Sequence, residues 1–175
     1  MKTIRVSRPF QIVGTDIAGP FPETENKKKY ILTFTNHFTK WVEAIAIEKP
    51  DARTVAYYFI HKILLKHGAP ETTLSDRGQA FIGKVMKELL KELEVKQAMT
   101  SAYHPQTNGL TERFNKTMME MLSMFVTGHQ KDWDEYLPYI VHAYRTSIHA
   151  STNETPFYLN HGYNARQPTF LESLR

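Results

Sequence analysis

The sequence predicts an α/β fold, a five-stranded mixed sheet flanked by helices. Three observations carry that expectation. The first third of the chain reads as three β-prone runs joined by short connections, which suggests an antiparallel meander. Amphipathic helical stretches then alternate with two further short β-prone runs, the order that adds parallel strands to a sheet. The remainder is helical in pattern. At 175 residues the chain is the size of one domain and is long enough to bury a core, so residues 1–175 are expected to form a single unit.

The first strand is expected over Phe10–Ile17, closed by Gly19-Pro20. The second, Tyr30–Thr35, follows a turn-like Glu25–Lys29, and the third, Trp41–Ile47, ends at Pro50. A helix starts at Asp51, a suitable N-cap, with Ala56, Phe59, Ile60, Ile63 and Leu64 on one stripe, and stops at Gly68 and Pro70. Glu71–Ser75 is the fourth strand. Ile82, Val85, Met86, Leu89 and Leu93 mark one second helix, and Val95–Met99 the fifth strand. A third helix is expected from about Asn108 to Val126. Trp133–Tyr144 is also helical in pattern, but Pro138 should kink or split it.

Apolar residues make up 41% and aromatics 12%, as in an ordinary globular protein. The apolar runs, such as Ile63-Leu64-Leu65, are too short to cross a bilayer, so no membrane role is expected. The opening MKTIRVSRPF lacks the apolar stretch of a signal peptide. With no cysteine, disulfides and cysteine-ligated zinc are excluded, which is compatible with a reducing compartment. The net charge of +4 leans weakly towards a polyanionic partner.

Three carboxylates fall where α/β sheets build sites. Asp16 lies near the end of the first strand, inside an apolar run where an unpaired charge is costly. Asp76 stands where the fourth strand gives way to a glycine turn, and Glu112 lies in the first turns of the third helix. At 100° per residue, Leu110, Phe114, Met118, Met121 and Phe125 occupy an arc of roughly 80°, with Glu112 about 160° from its centre and Asn115 and Lys116 flanking it. Hard divalent cations take such oxygen ligands. Any one of these residues taken alone is as well explained by capping or by a solvated turn.

The surrounding motifs narrow the reading. Thr15-Asp16, Leu74-Ser75-Asp76-Arg77-Gly78-Gln79-Ala80-Phe81 and the run from Ala102 to Lys116 (AYHPQTNGLTERFNK) resemble the catalytic core of retroviral and retrotransposon integrases. The 35 residues between Asp76 and Glu112 match that family's D,D-35-E spacing. Phe38–Ala44, His67-Gly68-Ala69-Pro70 and Thr155-Pro156-Phe157 to His161-Gly162 are most similar to the Ty3/gypsy (Metaviridae) branch, and the resemblance covers roughly residues 9 to 168. Asn36 departs from it, standing where many relatives carry an acidic residue that is not a metal ligand.

The resemblance implies an RNase-H-like fold and joining of element DNA 3′ ends to target DNA. It implies two Mg²⁺ (or Mn²⁺) ions per site, Asp16 bridging both, Asp76 on one and Glu112 on the other. It places Tyr103, Gln106 and Asn108 on a loop that contacts DNA ends, and Asn115 and Lys116 at the border of the site. From the residues alone, Asn108 reads equally as an N-cap, Tyr103 as a packed aromatic and Lys116 as a solvated helix residue. Lys27-Lys28-Lys29 reads as a solvated hairpin turn or a phosphate contact. The family further implies a homodimer within a larger DNA-bound assembly, and a nuclear destination reached through a cytoplasmic particle. None of the eight histidines forms a convincing zinc pair, so the family's N-terminal zinc-binding module is not expected here, nor its C-terminal DNA-binding module. Two alternatives stand beside this reading: a hydrolytic nuclease of the same fold, and a domesticated DNA- or protein-binding module.

Overall fold

A computed structural model describes residues 6–99, 109–125 and 130–166, the side chains of Gly109, Glu112 and Phe125 excepted. Five strands form one sheet: β1 (Ile12–Ala18), β2 (Tyr30–Asn36), β3 (Val42–Ile47), β4 (Thr72–Ser75) and β5 (Lys96–Met99). Their order is β3-β2-β1-β4-β5. The meander β1–β2–β3 is antiparallel, while β4 and β5 join β1 in parallel, as crossover helices require. The expected five-stranded mixed sheet is therefore present. Phe10, assigned to the first strand from sequence, lies outside it at φ 55° and stacks on His67 at 3.7 Å.

Asp51 caps α1 (Ala52–Tyr58) as expected, its Oδ1 accepting from the backbone N–H of Arg53 and Thr54. The helix then widens into a π-helical segment, Phe59–Leu64, before α2 (Leu65–His67) and Gly68. The widened turn keeps Phe59 and Ile63 in the core and leaves Leu65 exposed. The second helix, expected to be continuous, is two: α3 (Gln79–Ile82) and α4 (Lys84–Glu92), broken at Gly83. A Cβ on Gly83 would lie 2.9 Å from the Cβ of Ala52, so this glycine lets α1 approach the break. The break also rotates α4: Leu90 is buried, whereas Val85 is exposed.

α5 (Gly109–Phe125), α6 (Trp133–Thr146) and α7 (Pro156–His161) follow among the described residues. α6 runs continuously through Pro138, so of the expected kink or split the split does not occur. Helical layers cover both faces of the sheet. On one, Val13, Leu32, Phe34 and Ile47 meet Val55, Phe59 and Ile63 together with Met86 and Leu90 of α4. On the other, Ile31 and Val42 meet Phe114, Met118 and Leu122 of α5 and Trp133, Leu137 and Ile140 of α6. Each such fully buried side chain contributes about 1.5–3 kcal/mol relative to exposure.

The outer edge of β3 is closed by a polar staple. Arg145, in the last turn of α6, donates from Nε to the Val42 carbonyl at 2.8 Å and pairs with Glu43 Oε2 at 2.9 Å. Its guanidinium lies 4.0 Å from the Trp41 ring centroid. Glu43 also accepts from Trp41 Nε1 at 3.2 Å and faces Lys66 Nζ of α2 at 3.7 Å. One carboxylate thus ties both helical layers around an edge strand that would otherwise expose unpaired backbone groups. Asn36, the departure noted above, organises the β2–β3 turn. Its Oδ1 accepts from the N–H of Phe10 and of Phe38, and its Nδ2 donates to Thr39 at 2.6 Å.

Candidate active site

The strand register brings the first two carboxylates together. β1 and β4 pair in parallel with Ile12 opposite Thr72 and Gly14 opposite Leu74. Two residues further along both chains stand Asp16, still within β1, and Asp76, just beyond β4. Neighbouring strands run about 4.8 Å apart, so the two aspartates stand abreast on neighbouring strands where β4 ends.

Each aspartate is held by a directed hydrogen bond. Asp16 Oδ2 accepts from Asn115 Nδ2 of α5 at 2.8 Å, and Oδ1 accepts from the N–H of Ile17 at 2.9 Å. Asp76 Oδ1 accepts from the N–H of Gly78 at 2.8 Å, a local turn that fixes the carboxylate at the strand end. A Cβ on Gly78 would sit 2.9 Å from that same Oδ1, so the position of the carboxylate depends on the missing side chain. Asn115 Oδ1 is buried without a hydrogen-bond partner among the described residues.

α5 presents a face different from the one expected. Its buried residues are Thr111, Phe114, Met118 and Leu122, while Leu110 and Met121 are only half-buried. Relative to that stripe, position 112 lies about 115° from the centre rather than about 160°. It sits on the flank of the helix, one turn before Asn115, rather than on its outer face. That is the flank facing β1. The Glu112 side chain, like Tyr103, Gln106 and Asn108, lies outside the described residues. Lys116 is exposed, with no ion pair among the described residues.

The oxygen set suits a hard cation. Two carboxylates side by side and an orphaned amide oxygen are the donor types that Mg²⁺ and Mn²⁺ take. Among the described residues no group of three histidine or acidic side chains converges.

Two features of this region were missed from sequence. The sequence marks Gly78 only as a turn residue. Lys40, at φ 64° in the β2–β3 turn, donates from Nζ to the His37 carbonyl at 2.7 Å. Its ammonium is pushed below the usual lysine range by burial first and then by Arg113, the residue after Glu112. Only the Thr39-Lys40-Trp41 motif hinted at a role for this lysine.

The sequence matches the family model described as the integrase core domain over residues 6–105, more than half of the chain. It is 31% identical over 165 residues to the retrovirus-related Pol polyprotein from transposon 412 of Drosophila melanogaster, covering 94% of this chain. The chain belongs to the integrase core family. A Gypsy retrotransposon integrase-like protein from Bos taurus is 27% identical, again over 94% of the chain, while an Avian reticuloendotheliosis virus Gag-Pol polyprotein is 34% identical over 63%. The chain spans 13%, 33% and 10% of these three relatives' lengths respectively. Solved integrase structures share the fold. A simian T-cell lymphotropic virus intasome chain aligns with TM-score 0.76 at 19% identity, over 95% of this chain and 59% of its own. The HTLV-2 integrase catalytic core domain in complex with magnesium aligns with TM-score 0.71 at 16% identity, over 90% of this chain and 100% of its own. The RNase-H-like fold expected from the resemblance is the one observed.

Proposed function

We propose that this integrase core is a metal-dependent polynucleotidyl transferase that processes element DNA 3′ ends and joins them to target DNA. The observation that carries the reading is the register of β1 and β4, which sets Asp16 beside Asp76, with Asn115 of α5 bound to Asp16 and Glu112 one turn before it. Asp16 would serve both of two Mg²⁺ or Mn²⁺ ions, Asp76 one and Glu112 the other. Such ions, when bound, activate the attacking oxygen and stabilise the leaving oxygen of an in-line displacement.

The chain's own residues supply positioning. Gly78 and Asn115 each fix one oxygen of a carboxylate, so little reorganisation is needed when charge develops on the reacting phosphate. In strand transfer a DNA 3′-hydroxyl oxygen bonds to a target phosphorus, and the bridging 3′ oxygen of the target strand leaves. Tyr103, Gln106 and Asn108 would contact the DNA end, and Lys116, exposed on α5, a nearby phosphate. The partners are element ends and a target duplex, with the core as a homodimer in a larger nuclear DNA assembly. The magnesium-bound HTLV-2 core and the simian viral intasome support the metal and the assembly by analogy.

The test is joining of a labelled, pre-processed DNA end to a target duplex in Mn²⁺ or Mg²⁺. Joined product that depends on metal is expected. Only hydrolysed ends would point instead to a nuclease, and neither product to a binding module.

A further inference from the structure

β1, β3, β4 and β5 all run in one direction, so their C-terminal ends share one rim of the sheet. Asp16 and Asp76 occupy that rim on the α5 side. On the α1 side, the same rim holds a cleft of about 420 Å³ between the end of β3, the β1–β2 hairpin and α1. Its walls carry Lys28, Lys49 and Arg53 beside Tyr57 and Tyr58. A smaller hollow, of about 250 Å³, adjoins it through Glu48 and Lys49 and adds Lys27 and Lys29.

The charges in the cleft are unevenly satisfied. Glu23 holds Lys29 at 2.6 Å and Lys27 at 3.4 Å, and Glu48 lies 3.8 Å from Lys49. Asp51 is committed to capping α1. Lys28 and Arg53 have no ion-pair partner among the described residues. Tyr57, 55% exposed, stands at the same wall. Unpaired cations around an exposed aromatic ring are what a nucleic-acid strand uses, phosphates on the cations and a base or sugar on the ring. Two strand spacings, about 10 Å, separate β1 from β3 along the rim. That is well within the ~34 Å of one duplex turn, so one DNA molecule reaches both the cleft and the carboxylates.

We propose that this cleft is a second DNA-backbone site, in which Lys28 and Arg53 each hold a phosphate of the DNA that also reaches the carboxylates. The inference rests on the integrase reading. It goes beyond it by assigning the Lys27-Lys28-Lys29 hairpin and the start of α1 to DNA.

The test compares duplex-DNA affinity across 50–200 mM salt for the wild-type chain, for Lys28→Gln/Arg53→Gln, and for Lys91→Gln/Lys96→Gln. The last pair lies at the opposite end of the sheet and makes the same change in net charge. Each lost phosphate contact lowers the slope of log K against log salt by about 0.9, so the rim pair should lower it by about 1.8. The wild-type advantage should then shrink about twelvefold over that range, with the control pair retaining the wild-type slope. A wild-type slope for the rim pair, or equal losses in both pairs, overturns the proposal. So does a rim pair that loses affinity for a poly-glutamate peptide but not for DNA. Failure of the integrase reading shows elsewhere, as joining that survives loss of the carboxylates.

Discussion

Asn115 Nδ2 lies 2.8 Å from Asp16 Oδ2, joining α5 to the central strand of the sheet through a carboxylate of the candidate site. Beside the apolar packing of Phe114 and Met118, this bond ties the strand that carries Asp16 to the helix that carries Glu112. Asn115→Ala should therefore destabilise the metal-free chain by about 1.5 kcal/mol, the lower end for a bond to a charged group, because Asp16 is only half-buried. Urea unfolding reads this directly. An unchanged midpoint would mean the bond contributes nothing to holding α5.

Gly78→Ala separates site geometry from stability. The backbone there, at φ −59°, accepts alanine, and fewer unfolded conformations should leave stability level or up to about 1 kcal/mol higher. The new Cβ would displace Asp76 Oδ1, 2.9 Å away. Metal-dependent joining should fall at least about tenfold while the melting temperature holds. Wild-type activity in this variant would show that Asp76 is not required in its present position.

The staple at the edge of β3 should respond in the opposite way. Arg145→Met leaves Glu43, 9% exposed, with only the more distant Lys66 for its charge. A loss of about 3 kcal/mol is expected. Activity per folded molecule should remain, which a chaotrope titration run beside the joining assay will separate.

Burial pushes His37 down to about 4, with Lys40 adding to the effect, and pushes His67 to about the same value. Both rings fold in the neutral form, whereas in the unfolded chain they take a proton near pH 6.5. Between those values the unfolded state binds more protons, so stability rises with pH. It is complete above about pH 6.5 and is lost as pH falls towards 4. The urea midpoint should drop between pH 7 and 5, and His37→Gln should flatten that drop. An identical pH dependence in the variant would remove His37 as a cause.

Much of this fold was legible because its signals are local. The Asp51 cap, the β-prone runs and the Gly68 stop each lie within a few residues of the structure they cause. What escaped depends on distant partners. Gly83, at the break, packs where a Cβ would meet Ala52, and the alternation of hydrophobic residues carries no trace of that contact. Along α5, both Met121 and Leu122 are apolar, and only packing against α6 and the sheet decides that Leu122 goes inside. That choice moves position 112 from the outer face to the flank. Pro138 stays within a continuous helix because packing of Leu137, Ile140 and Val141 outweighs one lost backbone hydrogen bond. The Glu43–Arg145 pair joins residues far apart in sequence, and neither carries a local mark. The candidate aspartates stand out in the sequence only through their motif. Their arrangement needed the register of β1 against β4.

The central claim is that Asp16, Asp76 and Glu112 make one metal site, and thermal unfolding with and without metal tests it most directly. Converging carboxylates repel one another, and a divalent ion that binds only the folded chain removes that repulsion. Mn²⁺ at 100 times its dissociation constant should add about 2.7 kcal/mol, a rise of several degrees for a chain of this size, with Mg²⁺ giving less. Asp16→Asn should melt higher than wild type without metal and shift less with it, and Asp76→Asn and Glu112→Gln should follow the same pattern. Equal metal-induced shifts in wild type and in all three variants would contradict the claim.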